Sequence, residues 1–231
     1  MPEEAPDLSK MSKDELIQVL RNNVKAWNEY RQEWHDFLPD LSGANLNRVN
    51  LSKAYLGEAD LSDAFLIEAI LKDTDLGHAD LSRALLNNAD MRSAILNGTN
   101  MRGADLRNAN LSHASLQRAD LREAGLGWVD LRGADLCEAD MDGVHVRHTT
   151  KVSEETQVVD TKVQRRTAQV LEFNGLSKAQ IMDMKLVDDV AELRFAFGGV
   201  WKVLHLATIA LWLLPYVLFL AQLLGHHLQM E

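Results

Sequence analysis

The sequence predicts an all-β solenoid set between helical flanks, and three observations predict it. An aliphatic residue recurs at every fifth position from Leu41 through Leu46 and Leu51 to Met141 and Val146, and no member of that series is polar. Two residues before each stands a compact residue, beginning with Pro39 and Ala44 and including Thr74, Thr99 and Val144. Turn formers separate the pairs: Gly43, Gly57, Gly77, Gly98, Gly103, Gly127, Gly133 and Gly143, with Asp or Asn commonly just ahead of the leucine.

A period of five fits neither regular element. Along a helix, five residues advance about 500° and smear the leucines around the axis, while a straight strand throws successive leucines to opposite faces. A three-residue rung followed by a two-residue corner buries them all. Its Ala and Leu positions point the same way, glycine at the corner tolerates positive φ, and Asp or Asn bonds the backbone two residues on. Successive turns of the coil then stack about 4.8 Å apart through backbone hydrogen bonds. A repeat of this length sets the architecture before any local window is read.

Cycles such as Ala104-Asp105-Leu106-Arg107-Asn108 and Ala119-Asp120-Leu121-Arg122-Glu123 resemble the A(D/N)LXX motif of the pentapeptide repeat proteins. The resemblance covers residues 39–148 and implies a right-handed quadrilateral β-helix with four pentapeptides per coil. About 22 cycles would make about 5.5 coils and a rod about 26 Å long. The lead-in Ala26-Trp27-Asn28-Glu29-Tyr30-Arg31 also resembles that of the family. Each stacked leucine leaves water at roughly 1.5–3 kcal/mol, a sum that counts against backbone entropy.

The flanks read as helices. Residues 1–38 form an N-terminal segment whose helix, 12–37, starts at a capping box of Ser12 and Glu15, carries a stripe of Leu16, Leu20, Val24, Trp27, Tyr30, Trp34 and Leu38, and stops at Pro39. Packing on the first coil would shield its open backbone edge, and partner binding is the other reading. Residues 149–199 form a helical linker in which 159–173 is a helix stopped by Asn174-Gly175. Leu176, Ile181 and Leu186 restore the step of five, either as a vestigial cycle or within a helix capped by Ser177.

Residues 200–224 are apolar apart from Lys202 at the edge, and as a helix they would run about 37 Å, enough to cross a hydrocarbon core of about 30 Å. This segment is expected to be a single transmembrane helix kinked at Pro215, followed by a short tail, 225–231. Arg194 and Lys202 precede the span and the tail has no Lys or Arg, which puts the repeats on the cytoplasmic side. The family resemblance implies a bacterial inner membrane. A hairpin of helices buried in a homo-oligomer is the alternative.

Composition narrows the function. The net charge is −10, but acidic and basic residues alternate through the repeats, so no basic stripe for direct nucleic-acid binding is present. Cys137 is the one cysteine and excludes an intramolecular disulfide, and the start is expected to lack a signal peptide. No phosphate loop, HExxH, CxxC or G-x-S-x-G pattern occurs, and the aspartates recur as part of the repeat. His145 and His148 flank the last cycle without a third ligand. No catalytic residue, cofactor or metal is therefore expected, and the chain does not read as an enzyme.

The outward position before the leucine is normally polar, but Phe65, Ile70, Leu85 and Ile95 break the rule, and Ile67 occupies a corner. With four cycles per coil, Leu85 stacks over Phe65 while Ile67 and Ile70 continue around the next corner. Phe65, Ile67, Ile70 and Leu85 are thus the candidate protein-binding site, and cover by the chain's own helices is the other reading. Together these features predict a membrane-anchored scaffold that presents a rigid rod to an unidentified protein. Two rivals stand beside it. Some proteins of the family resemble a DNA duplex and bind gyrase, although Arg92, Arg102, Arg107, Arg118, Arg122, Arg132 and Arg147 would interrupt an acidic surface here. Alternatively, oligomerised helices with His205, Thr208 and Gln222 facing inward would form a transport assembly.

Overall fold

A computed structural model describes residues 8–34, 36–146, 150–153, 155–164, 176, 180 and 185–187. The chain divides into two compact units, Met1–Val187 and Asp188–Glu231, and the second lies wholly outside the described residues. So do the expected transmembrane helix 200–224, the tail 225–231, most of the linker 149–199, and the residues assigned to a pore. Among the described residues no helix is long and apolar enough to cross a membrane.

The repeats form a four-sided coil. Parallel bridges join residues 20 apart at every fifth position, from Asp40↔Asp60 to Gly125↔His145, so four five-residue rungs complete one turn. Leu41 N–H donates to Asp60 C=O at 2.7 Å, and Asp60 N–H donates to Pro39 C=O at 3.0 Å. The corner closes with Ala44 N–H on Leu41 C=O at 3.0 Å. A rung this short holds one fully bridged residue, so regular strand is sparse. Among the described residues only β1 (Asp140–Met141), β2 (Lys162–Gln164) and β3 (Lys185–Val187) extend further, as a parallel sheet in that order.

The leucine series lies inside at 0–1% exposure from Leu41 to Met141, with the alanines beside it. Thr74 and Thr99 occupy alanine positions, fully buried, and each hydroxyl donates at 2.8 Å to a leucine carbonyl of the preceding turn, Leu51 and Leu76 respectively. The second corner residue takes positive φ whether or not it is glycine: Gly43, Gly98, Gly103, Gly133 and Gly143 do, but so do Arg48, Lys53, Glu68, His113 and Trp128. Gly57, Gly77 and Gly127 sit at the first corner position and have no positive φ. Glycine is thus not what makes the corner. Ladder bonds and interior packing hold ordinary residues in a left-handed conformation that costs roughly 1–2 kcal/mol each.

The coil does not stop at residue 148. Thr150-Lys151-Val152, Thr156-Gln157-Val158 and Thr161-Lys162-Val163 continue it, with Lys151, Gln157 and Lys162 bridged to Asp130, Asp135 and Asp140. Thr150, Thr156 and Thr161 are buried, and their hydroxyls donate to the carbonyls of Leu126, Leu131 and Leu136. The helix expected over 159–173 is not found in its described part: Val159 and Asp160 form a corner, and β2 follows. Leu186 pairs with Val163 in β3, which favours the vestigial cycle over a helix at that position.

Among its described residues the N-terminal segment holds two α-helices rather than one. A 3-10 turn at Leu8–Lys10 precedes α1 (Lys13–Asn22) and α2 (Val24–Glu33). Ser12 and Glu15 form a complete capping box on α1. Asn23 leaves helical geometry at φ −153°, ψ 77°, and its side-chain oxygen accepts from Ala26 N–H at 3.0 Å, capping α2. The chain also departs from helix at Trp34, well before Pro39, and Trp34 and Leu38 are 53% and 60% exposed rather than part of the buried stripe.

Both helices bond the first coil through side chains. Lys13 Nζ donates to Ser42 C=O at 2.9 Å, Arg21 to Asn45 C=O, Trp27 Nε1 to Tyr55 C=O at 2.9 Å, and Arg31 Nη2 to Gly57 C=O at 2.7 Å. Asn28 accepts from Tyr55 N–H at 2.9 Å. These are the backbone groups that a preceding turn of coil would otherwise satisfy.

Candidate docking face

Each of the four sides is a column of outward side chains. The first carries Asp40, Asp60, Asp80, Asn100, Asp120 and Asp140, and the second Asn45, Phe65, Leu85, Asp105, Gly125 and His145. The third carries Asn50, Ile70, Asp90, Asn110, Asp130 and Lys151, and the fourth Tyr55, Asp75, Ile95, Ser115, Asp135 and Gln157. The order of these columns around the coil puts the first opposite the third and the second opposite the fourth.

The four candidate residues converge at the edge shared by the second and third sides. Leu85 bridges Phe65 directly, with Leu66 N–H on Leu85 C=O at 2.8 Å. Ile67 is the corner between them and Ile70, held by its N–H donating to Asn47 Oδ1 at 2.8 Å. Phe65 is 43% and Ile70 40% exposed, while Ile67 and Leu85 are half-buried. Ile95 is equally exposed but lies on the fourth side, away from the cluster. Tyr55 and Trp128 are further exposed aromatics that the outward-position rule did not single out. Trp128 sits at a positive-φ corner, where no polar rule applied.

Ion pairs surround the cluster. Arg83–Asp63 at 2.6 Å stands at the flanking corner, Arg48–Glu68 at 2.8 Å at the corner that Ile67 shares, and Arg92–Asp90 at 2.6 Å and Arg107–Asp105 at 2.5 Å stand above. The hydrogen bond from Arg83 draws the Asp63 carboxyl below its ordinary range, and that from Arg48 does the same for Glu68. Further along, Arg102, Arg118, Arg122 and Arg132 pair with Glu123, Glu138, Asp120 and Asp130. Pairs this exposed add little to stability, but they neutralise the surface locally.

Three lysines of the coil behave differently. Lys53, Lys72 and Lys151 are exposed and make no ion pair within 4.0 Å among the described residues. All three lie on the third side or its closing corner, and Lys53 N–H donates to Lys72 C=O at 3.0 Å, so the first two occupy adjacent turns.

No group of metal-binding side chains gathers among the described residues. His145 is exposed on the second side and His148 lies outside the described residues. Burial pushes the Cys137 thiol above its ordinary range, with Asp135 adding to the effect, which disfavours the reactive thiolate.

The profile of the family Pentapeptide repeats matches in eight copies, at residues 40–73, 69–108, 100–136 and 119–150. A pentapeptide repeat protein from Nostoc Pcc 7120 is 30% identical over 50% of this chain and 91% of its own, with a TM-score of 0.24. One from the Arabidopsis thaliana thylakoid lumen is 33% identical over 41% of this chain, with a TM-score of 0.40, and this chain spans 66% of its length. QnrB1, a plasmid-mediated fluoroquinolone resistance protein, is 16% identical over 68% of this chain and 84% of its own, with a TM-score of 0.45. No curated protein matches. None of these TM-scores reaches 0.5, and the assignment rests on the repeat match and the sequence identity: the chain belongs to the pentapeptide repeat family.

Proposed function

We propose that this protein is a membrane-anchored scaffold whose repeat rod docks a protein partner on Phe65, Ile67, Ile70 and Leu85. One observation carries the reading: two large apolar side chains, Phe65 and Ile70, stand exposed at positions where most rungs carry a polar residue. Their backbone is fixed by the ladder on both sides, so little conformational entropy remains to be lost on binding. The surrounding carboxylates and guanidinium groups already satisfy one another, which leaves burial of apolar area as the driving term. The chemistry is positional, with no catalytic group, cofactor or metal.

The anchor rests on sequence. Residues 200–224 have the length and apolarity of a single span, and Arg194 and Lys202 favour a cytoplasmic rod. Crosslinking in native membranes followed by partner identification tests the docking reading, and alkaline extraction of the same sample tests the anchor. A partner lost in the Phe65→Ser/Leu85→Ser variant with unchanged melting supports the reading. Release into the soluble fraction at high pH contradicts the anchor.

A second reading, modulation of a topoisomerase by a DNA-like surface, is favoured by the column of Asp40, Asp60, Asp80, Asp120 and Asp140 along the first side. The pairing of Asp120 with Arg122 and of Asp140 with Lys162 interrupts that charge. Inhibition of supercoiling by the purified chain would promote it.

A further inference from the structure

Three lysines of the coil stand apart from its arginines, while Lys162 pairs with Asp140. Each described arginine of the coil is committed to a carboxylate, whereas Lys53, Lys72 and Lys151 are not, and these three share one side. Lys53 and Lys72 border the apolar cluster: Lys72 follows Ile70 by two residues, and Leu51 N–H, two residues before Lys53, donates to Ile70 C=O at 2.8 Å. Asp73 and Asp90 are the carboxylates next to them; neither makes an ion pair within 4.0 Å with either lysine, and Asp90 is bonded to Arg92, with the Lys72 charge adding a smaller pull on its carboxyl. An apolar patch is therefore met on its third-side margin by two ammonium groups outside ion-pair distance of any described carboxylate, while Arg83–Asp63 neutralises its second-side margin and Arg48–Glu68 the corner it shares with Ile67.

We infer that the docking face takes an acidic amphipathic segment of a protein, with apolar side chains on Phe65, Ile67, Ile70 and Leu85 and carboxylates at Lys53 and Lys72. This rests on the docking reading above and adds the chemistry and the polarity of the occupant. An acidic segment complements both ammonium groups at the rim, a neutral one gains nothing from them, and a basic one meets like charge, which selects against it. The opposite side repels the same segment, since Asp60 and Asp80 have no cation within ion-pair distance among the described residues. Orientation follows from that asymmetry.

The test is selection of random peptides by display against the full chain in mild detergent. The retained peptides are then measured against Phe65→Ser/Leu85→Ser, Lys53→Gln/Lys72→Gln and Lys53→Glu/Lys72→Glu, each checked for unchanged melting. The inference expects peptides that pair apolar residues with Asp or Glu, about 100-fold weaker on the apolar double variant and about tenfold weaker on the charge-reversed one, with the glutamine variant between. Peptides that need Phe65 and Leu85 but show no acidic preference and no loss at the lysine variants overturn the inference and leave the docking reading standing. If no peptide depends on Phe65 and Leu85, both fall. In a parallel arm the full chain meets phosphatidylcholine vesicles with and without phosphatidylserine. Extra binding to the anionic vesicles that disappears in the lysine variants, without acidic peptides in the selection, assigns the lysines to a lipid surface and overturns the inference.

Discussion

The regular coil, 41–146, and its continuation, 150–163, share a ladder but not a motif. In the first, Ala and Leu face inward at a strict step of five and bridges join residues 20 apart. In the second, Thr and Val face inward, and the bridges run Asp130↔Lys151, Asp135↔Gln157 and Asp140↔Lys162, so extra residues have entered the corners. What the coil requires is a compact group and an aliphatic one at each rung, with every backbone polar group paired. Threonine meets the first requirement because its hydroxyl finds a carbonyl of the turn before, so no buried donor is left open.

Three predictions break or sharpen this comparison, beginning with the largest effect. Leu96→Asp places a carboxylate without a partner in the interior of the regular coil, and loss of the folded baseline is expected in thermal melts. Truncation separates the regions next. Leu96→Ala should cost about 2–5 kcal/mol, whereas Val163→Ala, which removes a smaller side chain, should cost less, and denaturant midpoints measure both. Equal losses would mean that the continuation packs its smaller side chains more tightly than the regular coil packs its leucines. Thr161→Val and Thr99→Val form a matched pair, each losing one buried hydrogen bond at roughly 0.5–1.5 kcal/mol. A loss at Thr99 alone would mean that the continuation does not depend on its threonines.

Acid distinguishes the regions more gently. In the regular coil the carboxyls of Asp40, Asp63, Glu68, Asp90, Asp105, Asp120 and Asp130 are held below their ordinary range, mainly by side-chain hydrogen bonds from Ser42, Arg83, Arg48, Arg92, Arg107, Arg122 and Arg132 respectively. Asp40 is lowered to about 2. A carboxyl lowered by folding contributes stability that is fully present above its unfolded value and is lost as pH falls through the folded one. The Asp40 contribution should therefore fade from about pH 4 down to about pH 2, and solvent exposure keeps it small. Melts of Asp40→Asn against the unaltered chain should converge at the acid end, and a constant gap across that window would contradict the assignment.

The fold of the regular coil was legible because one column, Leu41 to Met141, never breaks step. The continuation was not legible for the same reason. Advancing by five from Val146 lands on Lys151, Thr156 and Thr161, all polar, while the residues that take the leucine position are Val152, Val158 and Val163. A slip of one residue exchanges inside for outside and a slip of two puts threonine where the leucine step is read, so a living repeat looked spent. The break at Asn23 was hidden differently. Leu16, Leu20, Val24, Trp27 and Tyr30 keep helical spacing straight across it, and only the local cap, Asn23 on Ala26, divides the helix.

The candidate site was half legible. The positions of Phe65, Ile67, Ile70 and Leu85 followed from the step of 20, because stacking places them together without any tertiary information. Which cations are committed did not follow, since ion pairs link residues as different in separation as Asp105–Arg107 and Arg118–Glu138, and only the folded coil chooses among the possible partners.

The most direct test of the account is amide hydrogen exchange on the full chain, read at the rungs that the repeat motif does not predict. Lys151, Gln157 and Lys162 N–H donate to the carbonyls of Val129, Ala134 and Ala139 at 2.7, 2.9 and 2.9 Å. They should exchange as slowly as Asn100 and Asp120, their counterparts in the regular coil. Free-peptide rates at those three amides, with Asn100 and Asp120 still protected, would show that the ladder ends with the motif and would contradict the continuous coil.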